Sequence, residues 1–103
     1  MSYTIILTTV EKNEDAKKIA KSLLQEKLAA CIQINKIDSI YNWKDKIYED
    51  NEFLLYIKAP KKNYEKIEKL ILKIHPYELP QITMIDITKG YKNYLKWIDE
   101  VTI

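Results

Sequence analysis

Apolar positions along the chain follow two rhythms in turn. Tyr3 to Val10 (YTIILTTV) is short, nearly continuous and rich in β-branched residues, which predicts a buried strand. After the polar EKNED, residues Ala16, Ile19, Ala20, Leu23, Leu24 and Leu28 recur at three- and four-residue spacing, the signature of one helix face. This predicts a helix from roughly Glu14 to Lys27, with Asn13 as N-cap and the charges of Glu14 and Asp15 at the positive end of the dipole. Cys31 to Ile47 (CIQINKIDSIYNWKDKI) then alternates, first at Ile32 and Ile34 and again at Tyr41 and Trp43. Leu54, Leu55, Tyr56 and Ile57 predict a further strand. Lys44-Asp45-Lys46 would join the two as a hairpin, with no glycine to supply a positive φ, so the turn type stays open.

Pro60 marks a helix start, where its missing N–H costs nothing, and Tyr64, Ile67, Leu70, Ile71 and Ile74 form the second helical stripe. That helix must stop at His75, because Pro76 disfavours a helical backbone before it and lacks a donor. Gln81 to Thr88 (QITMIDIT) predicts a fourth strand. Gly90 breaks it, and Tyr91 to Val101 carries a short stripe of Tyr94, Leu95, Ile98 and Val101.

The order βαββαβ plus a C-terminal helix predicts one α+β domain over residues 1–103. Right-handed crossovers and a central hairpin put four antiparallel strands in the order 4-1-3-2 with both long helices on one face: a ferredoxin-like sandwich. The other face is left with only the short last helix for cover. Apolar side chains there, and long hairpin edges, point to a homo-oligomer.

Composition narrows the function. Seventeen basic residues against fifteen acidic ones give a net charge of +2, and every basic residue is lysine. So weak a field and the lack of arginine argue against a nucleic-acid partner. No apolar run reaches the roughly 18 residues that span a bilayer, so no membrane partner is expected. No secretory signal is visible at the N-terminus, and a single cysteine, Cys31, fits a reducing compartment, so the cytoplasm is the expected location. One glycine cannot build a phosphate loop, and no nucleophile-elbow or zinc-helix pattern occurs, so no enzymatic activity is expected.

The chemistry-bearing residues are few. His75, the only histidine, either closes the second helix or acts as a ligand with Glu78, three residues on. These two fall short of a metal's three or four donors, and Cys31, otherwise a small packing residue, is the soft candidate for a third. Trp43 and Tyr41 would pack an interface or wall a ligand. Glu52 and Lys58, six residues apart on one strand, face the same side as solvated charges or as the lining of a cleft.

The stretches EKLAACIQI, SIYNWKDKIYEDNEFLLYIK, KIHPYELPQI and GYKNYLKWI, in that order, resemble the CutA divalent-cation tolerance proteins across essentially the whole chain. The resemblance implies a ferredoxin-like fold similar to PII signalling proteins and a tight homotrimer whose hairpin arms reach onto neighbouring subunits. It implies a role in tolerance of divalent cations, copper above all. Cys31, Trp43, Glu52, Lys58, His75 and Tyr94 fall at positions like the family's cleft between subunits. Cys31, His75 and Glu78 would be the metal ligands, Cu or Zn the ion, with no obligatory cofactor. Thr8 and Ile74 stand where some members carry a cysteine and the first of two histidines, Asp45 replaces a glycine at the hairpin tip, and Gln33 replaces an asparagine. The alternative is a PII-like signalling trimer that holds a small anionic metabolite through Lys58 and the aromatics.

Overall fold

Strand β1 (Tyr3–Val10) is the centre from which the sheet is built. A computed structural model describes residues 1–103 and continues with α1 (Asn13–Gln25), β2 (Cys31–Trp43), β3 (Lys46–Pro60), a 3-10 turn (Lys61–Asn63), α2 (Tyr64–Ile74), β4 (Thr83–Ile87) and α3 (Lys92–Glu100). β1 pairs antiparallel with β3 on one side and β4 on the other, and the sheet order is β2-β3-β1-β4. This is the expected α+β topology, read from the opposite edge.

Alternation along β1 sorts the two faces. Thr4, Ile6, Thr8 and Val10 are sealed on one side, beside Ala59, Ile57, Leu55 and Phe53 of β3. There α1 buries Ala16, Ile19 and Leu23, α2 buries Ile67 and Ile71, and these side chains form one apolar cluster with Leu28 and Ala29. Each leucine or isoleucine among them, taken fully out of water, contributes about 1.5–3 kcal/mol. On the opposite side Ile5, Leu7 and Thr9 lie beside Lys58, Tyr56 and Leu54. α3 covers part of that second face, where Tyr3 donates its hydroxyl to Asp99 and Ile98 is fully buried.

Local boundaries shift from the sequence expectation for identifiable reasons. The cap of α1 is Lys12, not Asn13: the Lys12 carbonyl already accepts from Asp15 and Ala16, which places Asn13 inside the first turn without a side-chain cap bond. The same helix ends at Gln25. Lys27 takes φ 55°, its N–H bonds the Leu24 carbonyl at 3.0 Å and that of Leu28 bonds Leu23 at 3.1 Å, a Schellman closure built on a lysine. Pro60 serves two elements: it ends β3, where it pairs with Tyr3, and, as expected, marks the helix start, capping the 3-10 turn Lys61–Asn63 that runs directly into α2 at Tyr64.

The hairpin is much longer than the apolar pattern suggested. Pairing runs from Cys31 opposite Lys58 to Trp43 opposite Lys46, so β3 begins at Lys46 instead of near Leu54. Lys44 and Asp45 close it in two residues with φ 50° and 65°, which is a type I′ turn and matches the twist of the flanking strands. Its outer half projects as an arm with Ile40 and Ile47 exposed at 66% and 77%. The arm stretches the molecule to 44 Å and its radius of gyration to 14.2 Å, against about 13 Å for a compact chain of this size.

Candidate functional site

The segment that leaves α2 is held by its histidine. His75 has the extended backbone (φ −70°, ψ 135°) that a following proline requires, and its N–H still caps the helix on the Ile71 carbonyl at 2.8 Å. Its Nε2 lies 2.9 Å from the Thr9 carbonyl at the end of β1. A carbonyl only accepts, so Nε2 carries the proton and donates. Nδ1 then accepts the Tyr77 N–H at 3.1 Å. Both ring nitrogens are engaged within the chain. Burial lowers the imidazole pKa, against the opposing pull of the Thr9 carbonyl, Asp15 and Glu52.

Tyr77 continues the connection. Its ring meets the imidazole edge to face at 4.9 Å between centroids, and its hydroxyl donates to Glu52 Oε2 at 2.5 Å. Burial first, and the carboxylate second, push the Tyr77 phenol well above its ordinary pKa. The segment between Pro76 and Pro80 is thereby tied to β1 and β3. Between it and the arm lies a groove of about 790 Å³, whose lining includes Asp38, Tyr41, Trp43, Glu52, Tyr77 and Glu78. Tyr41 stacks on Tyr48 with centroids 5.8 Å apart, and its hydroxyl bond to Asp50 pushes its pKa up to about 12.

A second cluster forms further along the same sheet face. Lys58 donates from Nζ to Gln33 Oε1 at 2.7 Å and stands 5.7 Å from the centre of the Tyr94 ring, which α3 supplies. Cys31 is its direct cross-strand partner and carries a half-buried free thiol. No carboxylate neutralises Lys58, since the only ion pair of the chain joins Lys61 to Asp86 at 3.1 Å.

The residues expected to share one cleft therefore divide. Glu52 and Lys58 do face the same side, but six residues at about 3.3 Å each put them roughly 20 Å apart along β3. Trp43, Glu52 and Glu78 belong to the groove; Lys58, Tyr94 and Cys31 belong to the second cluster. As a metal set within one chain, Cys31, His75 and Glu78 need correcting, because no three His, Cys, Asp or Glu side chains gather as a ligand group. Cys31 sits at the Lys58 end, His75 and Glu78 lie at the Glu52 end, and His75 has no free lone pair. Tyr77 and Gln33 are the partners that sequence reasoning passed over. The first was signalled by its place between two prolines; the second had no signal beyond its strand register.

The profile of the family described as CutA1 divalent ion tolerance protein matches residues 4–101. The chain belongs to the CutA1 family. It is 38% identical over 99 residues to the divalent-cation tolerance protein CutA of Thermus thermophilus, an alignment that covers 95% of this chain and 96% of that one. It is 37% identical to the chloroplastic CutA of Arabidopsis thaliana, of which it spans 54%. The structure of the periplasmic divalent cation tolerance protein CutA from Archaeoglobus fulgidus superposes with a TM-score of 0.95 at 36% identity, covering 96% of this chain and 97% of the other. CutA1 relatives thus occupy more than one compartment, and membership alone does not assign one.

Proposed function

We propose that this chain is a non-enzymatic cytoplasmic protein of the divalent-cation tolerance type that works as a homotrimer and meets its ion where copies adjoin. The observation that carries the reading is the sheet face opposite α1 and α2. Ile5, Leu7, Leu54 and Tyr56 are covered only in part and Ile85 on β4 is 53% exposed, while on the helix side of the sheet the projecting arm leaves Ile40 and Ile47 uncovered as well. Apolar surface of this extent on a small chain favours burial against further copies of itself. Assembly also supplies what one chain lacks: donors from different copies can complete a set around Cys31 or Glu78, for which copper or zinc is the fitting ion. The lone free thiol suits a reducing compartment. No helix is long and apolar enough to cross a membrane.

Sedimentation equilibrium at micromolar concentration tests the assembly: three copies are expected, and a stable folded monomer refutes it. Calorimetric titration of copper and zinc into wild type and into Cys31→Ser and Glu78→Gln tests the ligands, with weakened binding expected. Unchanged binding removes those side chains from the site.

The un-neutralised ammonium of Lys58 favours one further reading, in which the second cluster holds a small anionic metabolite in a PII-like manner. A thermal-shift screen of nucleotides and carboxylates in the presence of chelator separates the two, because only the anion reading predicts stabilisation there.

A further inference from the structure

The net charge of +2 is unevenly spread. The residues that α2 exposes are Glu65, Lys66, Lys69, Leu72 and Lys73, and Lys62 in the preceding 3-10 turn is exposed as well. Lys62, Lys66, Lys69 and Lys73 follow one another at intervals of four, three and four residues, about one per turn. They form a row roughly 16 Å long on one flank of the helix, in which each lysine has a like charge as its neighbour. Such neighbours oppose helix formation, and nothing within the chain offsets them. The single ion pair joins Lys61 to Asp86, outside the row. Glu68 accepts instead from the Tyr64 hydroxyl at 2.7 Å, which leaves Glu65 as the only exposed acid of the helix. The row runs into a hollow of about 380 Å³, where Lys61 and Lys62 share the wall with Asp99, whose carboxylate is taken by the Tyr3 hydroxyl.

The sheet face assigned to assembly is the one opposite α1 and α2, so the row points outward in a single copy and in an assembly alike. Its surroundings select the anion. A bilayer needs an apolar helix face, and that of α2 is spent on the core through Ile67 and Ile71, with Leu72 alone left outside. Nucleic-acid bases need aromatic platforms or arginine forks; α2 exposes no aromatic ring and the chain has no arginine. An acidic peptide gains affinity by seating its backbone and side chains in a groove, which a convex helix flank does not offer. A flexible chain charged at every unit, with no side chains to seat, needs only a line of point charges, and lysine ammonium groups supply it.

We propose that the outer flank of α2 binds inorganic polyphosphate, with its phosphates lying along Lys62, Lys66, Lys69 and Lys73. The inference concerns a surface that neither the metal reading nor the anion reading above uses, and it rests on neither.

Short-chain polyphosphate carrying a fluorescent end label is titrated into the full chain and followed by anisotropy. Saturable binding is expected, with log affinity falling against log salt at a slope of about −3 for four lysines, on the scale of single-stranded polyanions. Lys69→Gln with Lys73→Gln should weaken binding at least about tenfold, which is about 1.4 kcal/mol, and halve the salt slope. Glutamine is as good a helix former as lysine, so the fold is spared. Lys92→Gln with Lys96→Gln removes the same charge at the same spacing from α3, where both lysines are exposed, and should leave affinity unchanged. Absence of saturable binding overturns the proposal. So does equal weakening by the two pairs, since the attraction then belongs to net charge and not to the row. Polyglutamate that binds as tightly, or vesicles of anionic lipid that compete the label away, overturn it too, by making the partner an acidic segment or a membrane. Sedimentation of the same samples keeps this inference apart from the assembly reading, because the row is expected to bind in a monomer and in a trimer alike.

Discussion

Replacing His75 with alanine tests the hydrogen-bond chain that holds the proline-bounded segment. The change removes the donor to the Thr9 carbonyl and the acceptor of the Tyr77 N–H. Each such bond contributes about 0.5–1.5 kcal/mol net, so a loss of about 2 kcal/mol is expected at pH 7.5. The penalty must shrink on acidification. The folded pKa lies below the ordinary 6.5 because the fold holds the ring neutral. The unfolded chain then takes up the proton first, so the histidine's contribution is fully present above pH 6.5 and is lost as pH falls toward the folded pKa. One proton limits the slope to about 1.4 kcal/mol per pH unit, and water around the half-buried ring keeps the total well below that ceiling. Urea unfolding of both proteins from pH 8 to pH 5, at one fixed protomer concentration, reads the difference directly. A gap that stays constant, or that widens in acid, refutes the neutral Nε2–H assignment.

Four further expectations follow from the geometry. Thr8 is fully buried with no partner for its hydroxyl, so Thr8→Val should stabilise by about 1–2 kcal/mol in urea unfolding, and a loss would reveal a hidden partner. Lys27 closes α1 at φ 55°, and Lys27→Gly should raise stability by about 0.5–1 kcal/mol in the same assay, no gain meaning that the lysine bears little strain there. Lys44→Asn with Asp45→Gly should slow amide exchange at Trp43 and Lys46, because these residues suit the type I′ turn; faster exchange contradicts the turn assignment. Asn63 donates to the carbonyls of Leu28 and Ile103, both at 3.0 Å, so Asn63→Ala should lower stability by about 2 kcal/mol, and a neutral effect would mean that water replaces both bonds.

The inner sheet was legible in the sequence because each strand there buries a face, and burial writes a period into the apolar positions. Tyr3–Val10 and the stripes of α1 and α2 carried that signal. The arm did not: residues Lys46 to Asn51 are exposed on both faces, so nothing in their composition marks them as strand, and β3 was legible only from near Leu54. Pro60 did mark the helix start, as cap of the 3-10 turn that leads into α2, but its fixed φ suits a strand end equally and gave no sign that β3 runs up to it. For the candidate site, the shared side of Glu52 and Lys58 followed from alternation. Their separation was legible from the same spacing, since six strand residues at about 3.3 Å each span roughly 20 Å. The engagement of His75 was hidden, since its acceptor is a backbone carbonyl of Thr9, sixty-six residues away, and every residue type carries one.

The length of the hairpin also bears on how the chain matures as it is synthesised. Its rungs join residues close in sequence, whereas β1 must wait for β4, with Tyr3 meeting Ile87. On the ribosome the hairpin can therefore zip up while the central strand still lacks one neighbour, leaving Ile40 and Ile47 open to stray partners. Lys44 and Lys46 at its tip then serve as gatekeepers, their charge discouraging nascent chains from sticking to one another until the last strand arrives.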